Sequence, residues 1–197
     1  MAVSPFGPGK IFILVGPGGA GKNTLMKAVM PQLDNLSQLA TATTRDPRPG
    51  EQHGREHIFM DLATFEQWKD NGWFVEFEEV TPEKYYGTPK IALERAFAEG
   101  RDLIADIEIA GAERIKAAYP DNVVLMFIWA HQDVLAERMR ARGTSEKDIQ
   151  ERLDRAEREY AFAEQCEALV VNDIQTQAAD ELRSLIERLR NPKPVHA

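Results

Sequence analysis

The sequence predicts an α/β fold in which a parallel core sheet is flanked by helices. Four short, continuous apolar runs are typical of strands that are buried on both faces. The runs are Lys10–Val15, Leu103–Ile107, Asn122–Trp129 and Ala168–Val171, and each lies beside a segment with helical spacing. Such alternation favours a parallel sheet wrapped by helices. The chain has 197 residues, which is the usual size of one domain.

Composition and charge exclude several classes of protein. Hydrophobic residues make up 43% of the chain and charged residues 28%, as in a globular protein and unlike a disordered one. The net charge of -8 disfavours general nucleic-acid binding, which depends on a basic surface. No apolar run approaches the roughly 20 residues of a membrane helix, and the N-terminus lacks a basic region followed by an apolar stretch. We therefore expect a cytoplasmic protein without membrane or nucleic-acid partners.

The first predicted strand leads directly into a helix. The run Lys10–Val15 ends at Gly16, and an apolar residue recurs at every fourth position within Thr24–Leu33. This spacing places the apolar side chains on one helix face. The order is therefore strand, glycine-rich loop, helix.

Residues 41 to about 90 break this pattern. Prolines and glycines cluster between positions 47 and 54, and short strand-like pieces follow around Ile58 and at Phe74–Val80. We interpret this segment as an insertion with a small sheet of its own.

The last third of the chain is mainly helical. The segment Asp133–Glu167 is charged and is interrupted at Gly143–Ser145, where Ser145 is a candidate helix cap. A final helix is predicted at Asp180–Arg190, followed by a frayed tail at Asn191–Ala197.

The loop after the first strand has the spacing of a phosphate-binding loop. Residues 16 to 22 fit G-x-x-x-x-G-K, but Asn23 stands where Ser or Thr is usual. Between a strand and a helix, backbone N–H groups converge on phosphate oxygens, and Lys22 would reach the terminal phosphates of ATP. The expected nucleotide-binding residues of this segment are Gly16, Pro17, Gly18, Gly19, Ala20, Gly21, Lys22, Asn23 and Thr24. A glycine-rich turn with a surface lysine is the alternative.

Two arginines predict a second anion site. Arg45 and Arg48 lie in a loop stiffened by Pro47 and Pro49. Two guanidinium groups placed in this way clamp a phosphate dianion at little entropic cost. Solvated surface arginines are the alternative.

The segment Thr41–Phe59 resembles the substrate-binding signature of guanylate kinases, whose T-T-R-x-P-R-x-G-E-x-x-G core precedes an aromatic pair. The resemblance runs from Lys10 to about Arg190. Further matching elements are Phe74-Val-Glu76, Tyr85-Tyr86-Gly87-Thr88, Ala105–Gly111, Leu135–Thr144 followed by Arg152, and Val171-Asn172-Asp173.

This resemblance implies the P-loop kinase fold within a single domain. Its core would comprise residues 8–40, 100–138 and 156–190, with a small mixed α/β NMP-binding insertion at about 41–98 and a helical lid at about 139–155. It implies ATP-dependent phosphorylation of GMP to GDP in purine metabolism, with Mg²⁺, and extends this activity to dGMP. Asn172 would join the loop at ATP.

The resemblance also assigns roles to individual residues. Catalytic roles fall to Lys22, Asp106, Arg138, Arg142 and Arg152, and metal contacts fall to Asn23 and Asp106. The GMP-binding residues would be Thr41, Arg45, Arg48, His57, Glu76, Tyr86, Thr88 and Glu108. The Glu76 carboxylate accepts hydrogen bonds from guanine N1–H and N2–H together, a pattern that adenine does not offer.

Three positions depart from the family pattern. Asn23 replaces a Ser or Thr whose hydroxyl meets Mg²⁺, His57 replaces a phosphate-binding tyrosine, and Glu108 replaces an aspartate. Their effects on metal binding, substrate affinity and base choice stay open, as does the oligomeric state. Two other functions are weighed: a related kinase acting on a ribose bisphosphate, and a non-catalytic guanylate-kinase-like module that binds peptides.

Overall fold

The computed structural model describes residues 9–190. The nine strands of this part are β1 (Ile11–Val15), β2 (Leu36–Gln38), β3 (Thr41–Thr43), β4 (His57–Phe59), β5 (Phe74–Thr81), β6 (Lys84–Pro89), β7 (Asp102–Asp106), β8 (Val123–Trp129) and β9 (Ala168–Val171). Its seven α-helices are α1 (Lys22–Val29), α2 (Leu62–Asp70), α3 (Lys90–Ala98), α4 (Ile109–Ala118), α5 (Gln132–Ala141), α6 (Glu146–Tyr160) and α7 (Gln175–Arg190).

The strands form two sheets. The larger has the order β2-β7-β1-β8-β9, and its pairs β2–β7 and β8–β9 are parallel. The smaller has the order β4-β3-β6-β5, with β3–β4 parallel and β3–β6 and β5–β6 antiparallel. The predicted parallel core sheet and the second, mixed sheet are therefore confirmed.

The described chain divides into two compact units. The first comprises residues 9–11, 35–105 and 110–123. Its smaller sheet encloses a cluster built on Ala42, Phe65 and Phe74. The rings of Phe65 and Phe74 stack with their centroids 4.6 Å apart, so α2 is fixed against β5 by aromatic packing.

The second unit comprises residues 12–34, 106–109 and 124–190. Every residue of β1 is buried, and so are Val124 to Ile128 of β8. These strands carry apolar side chains on both faces, which explains why they are continuous apolar runs in the sequence.

Two helices have boundaries that differ from the predictions. The helix predicted over Thr24–Leu33 occupies Lys22–Val29 and continues as a 3-10 turn at Met30–Gln32, because Pro31 has no N–H to donate. The final helix begins at Gln175 rather than Asp180. The predicted tail, 191–197, lies outside the described residues.

The cap predicted at Ser145 is confirmed. Its Oγ accepts a hydrogen bond from the N–H of Asp148 at 3.2 Å and donates to the Asp148 carboxylate at 2.8 Å. The chain therefore leaves α5, turns at Gly143 and starts α6 at a defined position.

Within residues 9–190, no helix combines the length and the apolar character that are needed to cross a membrane.

The Ser145 cap gives a test of the fold. We expect Ser145→Ala to lower the free energy of unfolding by about 1 kcal/mol, because the first turn of α6 loses its side-chain acceptor. Urea denaturation measures the change. Ser184→Ala is the matched control, since the Ser184 hydroxyl donates to Asp180 O inside α7 and caps no helix end. An equal loss in both variants would contradict the capping role.

Candidate active site

The glycine-rich loop of the second unit is shaped by close backbone approaches. Gly16 has φ +131° and Gly21 has φ +90°. A Cβ at Gly16 would lie 2.3 Å from Ile128 O, and one at Gly21 would lie 2.4 Å from Asn172 Nδ2. Both positions therefore require glycine. Because α1 begins directly at Lys22, its N-terminal N–H groups follow the loop and favour an anion there.

Lys22 is folded onto the loop. Its Nζ donates to Gly16 O at 2.6 Å and to Pro17 O at 3.3 Å. It also lies 3.6 Å from Asp106 Oδ1, and 14% of the Lys22 side chain is exposed. The ammonium group is therefore held beside the loop by two carbonyls and one carboxylate.

Asn23 contacts the same carboxylate. Its Nδ2 donates to Asp106 Oδ2 at 2.8 Å, which joins the first turn of α1 to the end of β7. Burial raises the pKa of the Asp106 carboxyl, while the nearby Lys22 ammonium acts in the opposite sense. Asn23 and Asp106, both expected site residues, are thus in contact, and Lys22, a third expected site residue, also lies beside Asp106.

Asn172 and Arg138 close the other side of the loop. Asn172 Nδ2 donates to Ala20 O at 2.6 Å, and Arg138 Nη2 donates to Asn172 O at 2.8 Å. Asn172 is 1% exposed, and its Oδ1 has no hydrogen-bond partner within the described residues. By contrast, Arg142 follows α5 and Arg152 lies in α6, and their exposed side chains make no hydrogen bond or ion pair among residues 9–190.

In the first unit, Arg45 is the centre of a hydrogen-bonded cluster. Its Nε donates to the Tyr86 hydroxyl at 2.7 Å. Its Nη1 and Nη2 donate to the two oxygens of Glu51 at 2.6 and 2.7 Å. Glu51 also accepts the backbone N–H of Arg48 at 2.8 Å, so one carboxylate holds the Arg45 guanidinium and the loop backbone at Arg48. The Arg45 hydrogen bonds lower the pKa of Glu51 to about 2.

His57 lies beside this cluster. The parallel register pairs it with Thr41, and Thr41 Oγ1 lies 2.8 Å from His57 Nδ1. Its ring meets the Tyr86 ring edge to face, with the centroids 5.7 Å apart. Burial and then the positive charge of Arg45 lower the pKa of His57, against the opposite effects of Glu51 and Glu56. The imidazole therefore favours the neutral form.

Glu76 and Thr88 form a buried pair. The antiparallel register of β5 and β6 sets them opposite each other, and the Thr88 hydroxyl donates to Glu76 Oε1 at 2.6 Å. Glu76 is 9% exposed and Thr88 is fully buried. Burial raises the pKa of Glu76, while the Thr88 hydrogen bond and the charge of Arg114 oppose that shift. A carboxylate has about four acceptor sites, so Glu76 can accept further hydrogen bonds beside the one from the Thr88 hydroxyl.

Glu108 follows β7 in the second unit. Its Oε2 accepts a hydrogen bond from Arg155 Nη2 at 2.7 Å, and both side chains are mostly exposed. The role of Glu108 at the base edge stays a prediction.

Sequence reasoning missed Glu51 and Arg155 as members of these contacts. Glu51 is the glutamate of the quoted signature, so its fixed spacing from Arg45 was an available signal. Arg155 and Glu108 lie 47 positions apart, and no local pattern joins them.

The Glu51 pair predicts a pH-dependent stability. The Glu51 pKa falls from 4.5 to about 2 on folding, so its contribution is present above pH 4.5 and is lost as the pH falls toward 2. We expect Glu51→Gln to be less stable than the wild type at pH 6, with the difference shrinking on acidification. Urea midpoints between pH 6 and pH 2.5 measure this.

Arg45→Met is the control background, because it removes the main cause of the lowered pKa of Glu51. In the Arg45→Met protein, the effect of Glu51→Gln on stability should therefore vary little with pH. An unchanged pH dependence in that background would contradict the assignment to the Arg45 pair.

Comparisons with known proteins agree with the motifs. A family model described as guanylate kinase matches residues 8–189. The guanylate kinase of Chlorobium chlorochromatii (strain CaD3) is 40% identical over 189 residues, which are 94% of this chain and 97% of that protein. That of Desulfitobacterium hafniense (strain Y51) is 38% identical over 179 residues, covering 90% and 89%. The crystal structure of guanylate kinase from Anaplasma phagocytophilum has a TM-score of 0.72 at 26% identity, covering 95% of this chain and 88% of the other. This chain belongs to the guanylate kinase family.

Proposed function

We propose that this protein is a cytoplasmic, single-domain kinase of purine metabolism that transfers the γ-phosphoryl group of ATP to GMP, and to dGMP, giving GDP or dGDP and ADP. The observation that carries the proposal is the buried Glu76–Thr88 pair in the unit that also holds the Arg45 cluster. A desolvated carboxylate rejects a base that does not present two adjacent donors to it, because its charge would then stay incompletely paired.

The phosphate of GMP would bind at Arg45, Arg48, Tyr86 and His57. Arg45 and the Tyr86 hydroxyl are already joined, and Glu51 orients the Arg45 guanidinium and holds the loop backbone at Arg48. Binding would therefore cost little side-chain entropy at Arg45. Thr41 and Glu108 are the remaining proposed contacts to the base.

ATP would bind at the glycine-rich loop of the second unit. The N–H groups at the start of α1 and the Lys22 ammonium supply positive potential to the phosphates. The buried, unpartnered Oδ1 of Asn172 lies against the loop and is consistent with a nucleotide in its neighbourhood.

The donor set at the loop fits Mg²⁺. Asp106 offers a carboxylate and Thr24 offers a hydroxyl, which are hard oxygen donors of the kind that Mg²⁺ accepts. Residues 9–190 contain no cluster of three or more His, Cys, Asp or Glu side chains suited to a metal. Mg²⁺ usually binds through one or two carboxylates together with water and phosphate oxygens, and Asp106 would supply one such carboxylate. When bound, it would neutralise charge on the ATP phosphates.

Transfer itself requires positioning and charge neutralisation. A GMP phosphate oxygen forms the new bond to the γ-phosphorus while the bond to the bridging oxygen of ADP breaks. Lys22, Arg138, Arg142 and Arg152 would neutralise the charge that moves. Since Arg142 and Arg152 are exposed and unpaired among the described residues, they are available to an arriving anion without breaking a salt bridge.

The two other functions are not favoured. A ribose bisphosphate kinase needs no buried acceptor for a base, and a non-catalytic peptide-binding module needs neither the strict glycine geometry nor Lys22 beside the loop.

The test is a coupled assay of ADP formation from ATP with GMP, dGMP, AMP, UMP or CMP as acceptor. We expect turnover with GMP and dGMP and at most traces with the other nucleotides. Equal rates with AMP and GMP, or ADP formation without any acceptor, would contradict the proposal.

Glu76→Gln tests the base reader. One amide oxygen and one NH₂ group do not match two purine donors, so we expect the KM for GMP to rise by at least about tenfold and the KM for ATP to stay nearly constant. Glu78→Gln is the matched control, since Glu78 is an exposed glutamate of the same strand. A KM for GMP that responds equally to both changes would remove Glu76 from the base site.

Lys22→Met tests the phosphate loop. Removal of the ammonium group should lower kcat by at least about 100-fold, because it withdraws positive charge from the transferring phosphates. Lys27→Met, at an exposed position of the same helix, should keep kcat. Circular dichroism of both variants confirms folding. A folded Lys22→Met with wild-type kcat would exclude the proposed role of Lys22.

A further inference from the structure

The Asn23 amide meets a carboxylate, and this fixes the direction of its polar atoms. Asn23 Nδ2 lies 2.8 Å from Asp106 Oδ2. The opposite orientation would bring the amide oxygen to the same distance from a carboxylate oxygen, and two acceptors without a hydrogen between them repel. The NH₂ group of Asn23 is therefore the end that faces Asp106.

The Asp106 carboxylate is held at both oxygens by the first turn of α1. Oδ2 accepts the Asn23 amide, and Oδ1 faces Lys22 Nζ at 3.6 Å. Rotation of the carboxylate would give up both contacts. Asn23 and Lys22 are consecutive residues, so the helix start clamps the end of β7 through two adjacent side chains.

A serine or threonine at position 23 would not do this. Its hydroxyl is one atom closer to the backbone than the Asn amide nitrogen, and in a phosphate-binding loop that hydroxyl turns to the metal. The Asn23 amide instead donates a hydrogen bond to Asp106, which is another site residue.

We propose that Asn23 is a positioning residue that acts through Asp106: its amide orients the carboxylate toward the nucleotide-bound metal ion, and Asn23 itself does not ligate the metal. This inference rests on the proposed function, because it assumes that the loop binds a metal–nucleotide complex. In metal sites, residues that do not touch the metal often orient a metal-binding carboxylate by a hydrogen bond, and Asn23 would do the same for Asp106.

A double-mutant cycle on binding, without turnover, tests the proposal. Isothermal titration calorimetry gives the dissociation constant of ADP in the presence of Mn²⁺ and again in EDTA. The ratio of the two constants isolates what the metal adds to binding. Mn²⁺ serves as the probe because it prefers the same oxygen ligands as Mg²⁺.

If Asn23 acts through Asp106, Asn23→Ala should reduce this ratio by about 10- to 100-fold, the usual effect of losing an outer partner of a metal ligand. In the Asp106→Ala background, where no carboxylate remains to be oriented, the same change should alter the ratio by no more than about twofold. Asp106→Val, with a residue suited to a strand, provides a second background if the alanine variant is unstable.

Gln32→Ala is the matched control, since it removes another exposed amide close after α1 and should leave the ratio unchanged. An Asn23→Ala effect that persists in full in the Asp106 backgrounds would overturn the proposal and make Asn23 an independent ligand. No effect in the wild-type background would also overturn it. Failure of the wild type to bind ADP under either condition would overturn the proposed ATP site itself, which the nucleotide assay detects separately.

Discussion

The close approach of backbone at the glycine-rich loop is the constraint on which the proposed nucleotide site depends. At Gly16 and Gly21 any side chain would meet Ile128 O or Asn172 Nδ2 at less than van der Waals distance. This tight passage allows α1 to begin immediately at Lys22, without a longer connection. The position of Lys22, the reach of Asn23 to Asp106 and the hydrogen bond from Asn172 to Ala20 all follow from where that helix starts.

Counter-charges organise the cationic groups of an acidic protein. Arg45 is held by Glu51, Lys22 lies beside Asp106, and Arg155 is paired with Glu108. Each pair already restricts the conformations of its cationic side chain, so a ligand that binds there removes less side-chain entropy. An arriving phosphate, however, competes with the internal carboxylate for the same cation. Arg142 and Arg152 differ, because they have no such partner within residues 9–190.

The sequence predicted best what depends on burial and on local spacing. Strands β1 and β8 are apolar runs because they are buried inside the larger sheet, and Ser145 caps α6 by a contact over three residues. Strand β9 is also an apolar run, but it lies at the edge of that sheet, where Leu169 and Val171 are exposed, so its predicted burial on both faces is wrong. Short or polar elements had no such signal. Strand β2 has only three residues, all partly exposed, and α2 has only one buried residue, Phe65. The contact between Asn23 and Asp106 spans 83 positions, so only the folded chain brings them together.

The three departures from the family pattern share one property that motif comparison does not detect. Asn23 bonds to Asp106, His57 contacts Thr41, and Glu108 pairs with Arg155. A motif treats each position alone, so it records three missing groups: a hydroxyl, a phenol and a shorter carboxylate. In the folded protein each substituted side chain has a polar partner at 2.7 to 2.8 Å. For Asn23 and His57 that partner is itself an expected site residue. Each substitution therefore affects a pair of residues and not a single position. Restoring the family residue at position 23, 57 or 108 would leave its partner without the contact that fixes the partner's orientation.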